Sequence, residues 1–253
     1  MTVYIGNAVG DEHGKASGGE PGNQTGKELR IQAWYKNKKG WRVFRAKEPA
    51  MRELLAYDMR AACENHAIGY DQKQRNTLYT VASAVGFDCE RVATPCECDC
   101  SSLVRVCLAC AGVRVQDFNT ASEPSRLLAT GLFDEMKGTK YTDGYHYLKA
   151  GDILCTAVKG HTAIVLNDGD KAEPDPAPPV TEQQVEVVGK SVNVRTADSK
   201  KGRILFTSHR GDRFPFVAVA PSGWYEIETR KGKAFITNLP KYTRLVENGG
   251  ESI

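Results

Sequence analysis

The chain has 253 residues, room for one large domain or two smaller ones, and its 41% apolar and 26% charged content is ordinary for a globular protein. A net charge of +3 is too mild to argue for nucleic acid, and no apolar run approaches the ~20 residues of a membrane-spanning helix. The opening MTVYIGNAVGDEHGKASGGEPG lacks the basic head and apolar stretch of a secretory signal. The chain is therefore expected to be made and kept in a cytoplasm, where thiols stay reduced. A disulfide framework is then a poor first guess for its eight cysteines.

Residues 1–26 are rich in Gly, Asn, Gln and charge and read as a long loop. Leu29, Ile31, Ala33 and Tyr35 then alternate with polar partners. After the turn-like KNKKG, Trp41, Val43 and Arg45 do the same, so 29–45 reads as a hairpin. Pro49 opens a helix with Met51, Leu54, Leu55, Met59 and Ala62 on one face, ending around Gly69. Asp71 is placed to cap a second helix carrying Leu78, Val81, Ala82 and Val85, which stops at Gly86. A third helix carries Leu103, Val104, Cys107, Leu108 and Ala111. A short fourth opens at Ser122-Pro124 and stops at Gly131.

The pattern then turns to strands. AGDILCTAV and HTAIVLNDG are two apolar runs separated by KG. Residues 170–182, rich in proline and acidic residues, read as a semi-rigid linker. From 183 to 247 short strands with polar turns follow one another, including a hairpin around RKGK, which suggests a small all-β barrel.

CECDCSSLVRVCLAC, residues 96–110, holds five of the eight cysteines. A structural zinc site usually shows Cys-x2–4-Cys pairs. Here Cys96, Cys98 and Cys100 are spaced by one residue, which in extended chain points Cys98 away from the other two. Cys107 belongs to an apolar helical stripe and reads as a core residue, and Cys63, Cys89, Cys110 and Cys155 read as packing residues. Cys100 differs. It enters the first turn of a helix between Asp99 and Ser101, where unpaired amides favour a thiolate and an adjacent oxyanion. A cysteine nucleophile needs a base. Of the five histidines, His161 opens a strand among small and apolar neighbours and follows the cysteine in chain order.

CDCSSLVRVCLACAG together with LKAGDILCTAVKGHTAIVLNDG resembles the NlpC-type cell-wall cysteine peptidases and the related CHAP amidohydrolases, over roughly residues 68–169. VNVRTADSKKGRILFTSHRGDRFPFV with GWYEIETRKGKAFI resembles a bacterial SH3-type wall-binding domain, at Val192-Asn193-Val194-Arg195, Gly211-Asp212 and Gly223-Trp224-Tyr225. The combination resembles a phage or prophage endolysin, which waits in the host cytoplasm until the membrane is opened and then acts on the wall.

The resemblance implies an α+β papain-like NlpC-type catalytic domain at 1–169 and an all-β SH3-like barrel at 183–247. It implies a thiol mechanism in which Cys100 attacks a stem-peptide amide of peptidoglycan and His161 holds the thiolate as an ion pair, then protonates the leaving amine. No metal, cofactor, nucleic acid or membrane insertion is called for, and a monomer is expected. The bond implied follows D-γ-glutamate. An N-acetylmuramoyl-L-alanine amidase of CHAP type, a catalytically silent wall-binding protein and a metal-dependent module are the alternatives. The resembled families usually take a third catalytic residue from the strand after the histidine strand. That strand is missing here, because the chain runs from Asn167 almost directly into the prolines. Asn167 is the expected orienter of His161. Alternatively, the hairpin 29–45 completes the sheet and Gln24 reaches the site as an oxyanion donor. Tyr70, Asp99 and Ser101 are the candidate substrate contacts.

Overall fold

The computed structural model describes residues 2–175, 183–229 and 231–247. The chain divides into two compact units, Met1–Pro174 and Asp175–Ile253. Residues 176–182 of the expected linker lie outside the described residues.

Among the described residues the first unit mixes eight strands with five α-helices and a 3-10 turn at Cys89–Arg91. The strands are β1 (Tyr4–Ala8), β2 (Leu29–Ala33), β3 (Trp41–Ala46), β4 (Ile68–Tyr70), β5 (Cys96–Cys98), β6 (Phe133–Glu135), β7 (Ile153–Thr156) and β8 (Thr162–Val165). The helices are α1 (Pro49–Glu64), α2 (Thr77–Ala84), α3 (Cys100–Cys110), α4 (Glu123–Ala129) and α5 (Thr139–Thr142). Six strands make one antiparallel sheet in the order β2-β1-β8-β7-β3-β6, and β4 and β5 form a separate parallel pair.

Period-2 alternation puts apolar side chains on both faces of the sheet. Ala8, Phe44, Ala46, Ile153, Cys155 and Ile164 join one core with Leu55 and Met59 of α1 and Leu103 and Cys107 of α3. Ile5, Trp41, Val43, Leu154, Ala163 and Val165 join a second core on the other face, with Leu148, Trp34 and Tyr145. The sheet is therefore a buried platform. A side chain at a strand end is fixed by packing above and below it.

Three expectations change. Residues 4–8, expected as part of a loop, form β1 and lie inside the sheet between β2 and β8. The expected hairpin 29–45 does not form: both halves are strands, but β2 pairs with β1 while β3 pairs with β7 and β6. The strand-like run 3–8 competes for Leu29–Ala33 and takes it, in the register Tyr4↔Ala33 to Ala8↔Leu29. Asp71 does not cap α2. Its carboxylate accepts from the N–H groups of Gly18, Lys73 and Gln74, closing a turn six residues before the helix begins. Glycine at position 6 serves close approach: a Cβ there would meet Met59 Cγ at 2.5 Å, so α1 rests directly on β1.

The second unit is all-β. Its strands are β9 (Gln183–Val187), β10 (Ser191–Arg195), β11 (Ile204–His209), β12 (Arg213–Val219), β13 (Tyr225–Thr229), β14 (Gly232–Ile236) and β15 (Thr243–Glu247), ordered β11-β10-β14-β13-β12-β9-β15. Val185, Val187, Val194, Ile227, Ala234, Ile236 and Val246 form its interior. The expected hairpin around RKGK is present, closing at Thr229↔Gly232.

One buried ion pair anchors the sheet beside the histidine strand. Arg45 on β3 grips Asp152, just before β7, through Nε at 2.7 Å and Nη2 at 2.6 Å, and Asp152 is fully buried. Replacing Arg45 with methionine would leave a buried carboxylate without its counter-charge, which costs about 3–5 kcal/mol. Urea unfolding of Arg45→Met is expected to show a lowered midpoint at unchanged slope.

Candidate active site

Strand β5 delivers the chain to α3 through Asp99. The Asp99 carboxylate accepts from the Ser102 N–H at 2.7 Å, and the Ser102 hydroxyl accepts from the Asp99 N–H at 2.8 Å. This reciprocal capping starts the helix at Cys100. Arg75 holds the cap in place. Its Nε donates to Asp99 Oδ2 at 2.8 Å, Nη2 donates to the Ser101 hydroxyl at 3.0 Å and the Phe118 carbonyl at 2.6 Å, and Nη1 reaches both oxygens of Asp117 at 2.9 Å. Asp99 and Ser101, expected as substrate contacts, are thus occupied in building the helix start.

Cys100 is 7% exposed. The N–H groups of Ser101 and Thr162 are directed at its sulfur. Thr162 is the residue after His161, so β8 brings the histidine to the mouth of α3. His161 Nε2 lies 2.8 Å from Asn7 Oδ1. The Asn7 amide is oriented by its own bond, Nδ2 to the Arg30 carbonyl at 3.0 Å, which leaves Oδ1 as acceptor. His161 Nε2 therefore donates, and Nδ1 is the nitrogen free of a proton. Trp41 packs beside the imidazole with ring centroids 6.4 Å apart.

Asn7 takes the place given to Asn167 by the sequence. Asn167 accepts from the Tyr4 N–H at 2.8 Å and donates to the Thr2 carbonyl at 3.0 Å, tying the start of β1 to the end of β8 without holding His161. The strand that seemed missing after the histidine strand is β1, threaded into that position from the N-terminus. The signal was present in V-Y-I-G-N-A, where a polar Asn7 interrupts an apolar run, but the glycine-rich surroundings masked it. Gln24 is folded onto its own loop, donating to the Pro21 carbonyl at 2.8 Å, and no contact joins it to Cys100. Tyr70, at the end of β4, lies close enough to Cys100 to feel its charge. It is buried, its hydroxyl accepts from Gln72 Nε2 at 3.0 Å, and burial, with Cys100 adding to it, pushes the phenol up to about 12.

Burial dominates the electrostatics. It pushes the Cys100 thiol up to about 12, with Asp99 and Glu123 adding to the rise. It pushes the His161 imidazole down to about 4, helped by the positive charge of Arg30. Burial thus acts on both groups in the direction of their neutral forms, thiol and imidazole. An open groove of about 510 Å³ runs beside His161, lined by Tyr35, Lys36, Lys38, Lys39, Thr156 and Gly160.

The remaining cysteines do not form a second centre. All eight are free thiols. Cys96, Cys98, Cys107 and Cys110 are packed into the helix-side core. Among the described residues no three His, Cys, Asp or Glu side chains converge as a ligand set for a metal.

His161 gives a direct test of this geometry. Imidazole nitrogen NMR is expected to show the Nε2–H tautomer and a midpoint near pH 4, against about 6.5 for an unperturbed histidine. Asn7→Ala is expected to mix the tautomers. The linkage has one sign. The unfolded chain takes up its proton first, so stability from neutral buried His161 is complete above about pH 6.5 and is lost as pH falls toward 4.

Among the described residues no helix is long and apolar enough to cross a membrane. No curated protein and no solved structure matches the chain. The family model described as endolysin-like domain matches residues 5–172, the span from β1 to just past β8 that contains Asn7, Cys100 and His161. The chain thus belongs to the endolysin-like domain family, a membership that carries a peptidoglycan-lytic function.

Proposed function

We propose that this chain cuts a stem-peptide amide bond of peptidoglycan by thiol chemistry, with Cys100 as nucleophile, His161 as its base and acid, and Asn7 as the orienter of His161. The observation that carries the reading is the convergence of three separate segments: the start of α3, the start of β8 and the middle of β1. In support, Asn7 fixes the tautomer of the imidazole, and Thr162, the next residue, directs its N–H at the thiol at the helix start.

The chemistry in this reading starts from a neutral pair. As the sulfur attacks the amide carbon, His161 Nδ1 takes the thiol proton, so charge forms only when a substrate is present. The carbonyl electrons move to oxygen, and helix-start amides are suited to stabilise that oxyanion. The imidazolium then gives its proton to the leaving amine, the C–N bond breaks and a thioester remains. Water, deprotonated by the same imidazole, attacks the thioester and releases the acid and the thiol.

The lysines of the groove beside His161 suit an anionic peptide, and the bond on the carboxyl side of D-γ-glutamate fits both that charge and the NlpC-type resemblance. The all-β unit serves, in this reading, as an SH3-type wall-binding domain, with the whole acting as an endolysin after release from the host cytoplasm.

Purified peptidoglycan digested with wild type is expected to yield new amino termini, with fragment masses that name the bond. Cys100→Ala and His161→Ala are expected to release none above background. Asn7→Ala loses one hydrogen bond of roughly 1–1.5 kcal/mol in the reacting geometry, a fall of about tenfold in kcat. Asn167→Ala is expected to keep its kcat. A Cys100→Ala protein that clears wall like wild type would end the thiol reading.

A further inference from the structure

His161 is gripped from both sides by one short segment that the mechanism above does not use. The segment is the turn leading into α4. Thr120 Oγ1 accepts from the N–H of Gly160, the residue before His161, at 3.0 Å. Glu123 Oε1 accepts from the hydroxyl of Thr162, the residue after His161, at 2.7 Å. Both clamp residues are buried, Thr120 at 6% and Glu123 at 0% exposure. The held Thr162 also directs its N–H at the Cys100 sulfur, so the clamp bears on both reacting groups.

Glu123 is an unusual choice for such a task. Its second oxygen, Oε2, is buried, and beyond Thr162 the carboxyl has, among the described residues, only the weak Cys155 thiol as a neighbour for hydrogen bonding. The groups facing it are Asp99 and Cys100 from the start of α3, the Cys155 thiol from β7 and Thr162 from β8. The Cys155 thiol donates onward to the Thr120 carbonyl at 3.4 Å, closing the small network. None of these groups is a cation. A glutamate here has nothing to balance a charge, and a charge here would oppose any negative charge arriving on the Cys100 sulfur. Burial accordingly holds its carboxyl up at about 8, protonated at neutral pH.

We propose that Thr120 and Glu123 are positioning residues that clamp His161 against Cys100, and that Glu123 does so as a neutral acid whose ionisation shuts the site down. The proposal rests on the Cys100–His161 reading. Ionised Glu123 would still accept from Thr162, but it would set a second buried negative charge against the attacking sulfur. No bond is made or broken at Glu123 itself.

The test is kcat and KM against pH on solubilised peptidoglycan fragments, for wild type, Glu123→Gln and Thr120→Val. Wild type is expected to lose kcat on the alkaline side, about tenfold per unit above pH 8. Glu123→Gln keeps the acceptor for Thr162 but has no proton to lose. It is expected to work at pH 7 within a few-fold of wild type and to lack that alkaline fall. Thr120→Val is expected to lower kcat about tenfold with KM unchanged, since one hydrogen bond is lost and the groove is untouched. Should Glu123→Gln fail to fold, carbon NMR of the glutamate carboxyls in wild type decides the matter. The assigned Glu123 carboxyl titrating near pH 8 supports the clamp, and its titrating below pH 6 overturns it; assignment is needed because burial also raises Glu97 to about 8. An alkaline limb in Glu123→Gln superimposable on wild type also overturns it. A wild type inert on all fragments counts against the thiol-hydrolase reading, and the carboxyl titration then still tests Glu123.

Discussion

The hydrogen bond from His161 Nε2 to Asn7 Oδ1 joins two residues 154 positions apart, and the arrangement of the catalytic unit makes that bond possible. Asn7 must lie beside β8, so β1 must occupy the sheet position next to it. β1 in turn needs α1 to press closely on it, which the glycine at position 6 permits. Packing on both faces then holds the strand in register, and a one-residue slip would send Asn7 to the opposite face and remove it from the histidine. The capping of α3 by Asp99 and its support by Arg75 set the other half of the site in the same way.

A second constraint is dryness. Cys100, His161, Tyr70 and Glu123 are all shifted toward their neutral forms, with burial as the first cause in every case. An ion pair in so enclosed a place would have to overcome the loss of hydration. A shift of the thiol toward its protonated form works against oxidants and adventitious electrophiles, because the thiolate is the reactive form. The proposed thiol attack then depends on geometry that lowers the barrier to proton transfer, and so on the residues that fix the imidazole.

Much of this was legible in the residues. DCSS before an apolar helical stripe placed Cys100 at a helix start, and the G-D-I-L and H-T-A-I-V runs read as two strands with His161 opening the second, which the fold pairs as β7 and β8. The apolar alternation of 183–247 placed the strands of the second unit. What stayed hidden was non-local. Leu29–Ala33 and Trp41–Ala46 each read correctly as strands, but alternation says which face is apolar and not which strand lies alongside, so their pairing was misassigned. β1 was lost because five strand residues stood beside a long glycine-rich loop. With β1 went Asn7, and Asn167 was chosen for its closeness in sequence. Thr120, Glu123 and Arg75 gave no signal at all, since their roles arise only from neighbours brought together by the fold.

The placement of β1 also bears on how the chain is made. Asn7 is synthesised 154 positions ahead of His161, so β8 follows only after most of the first unit. β1 has β2 as an early partner, but its other edge waits for β8. Joining the two closes a loop of more than 150 residues, a large separation that slows folding. A chain not yet extended to β8 therefore holds Cys100 and Asn7 without His161. In the proposed reading, formation of the site is thereby tied to the synthesis of β8.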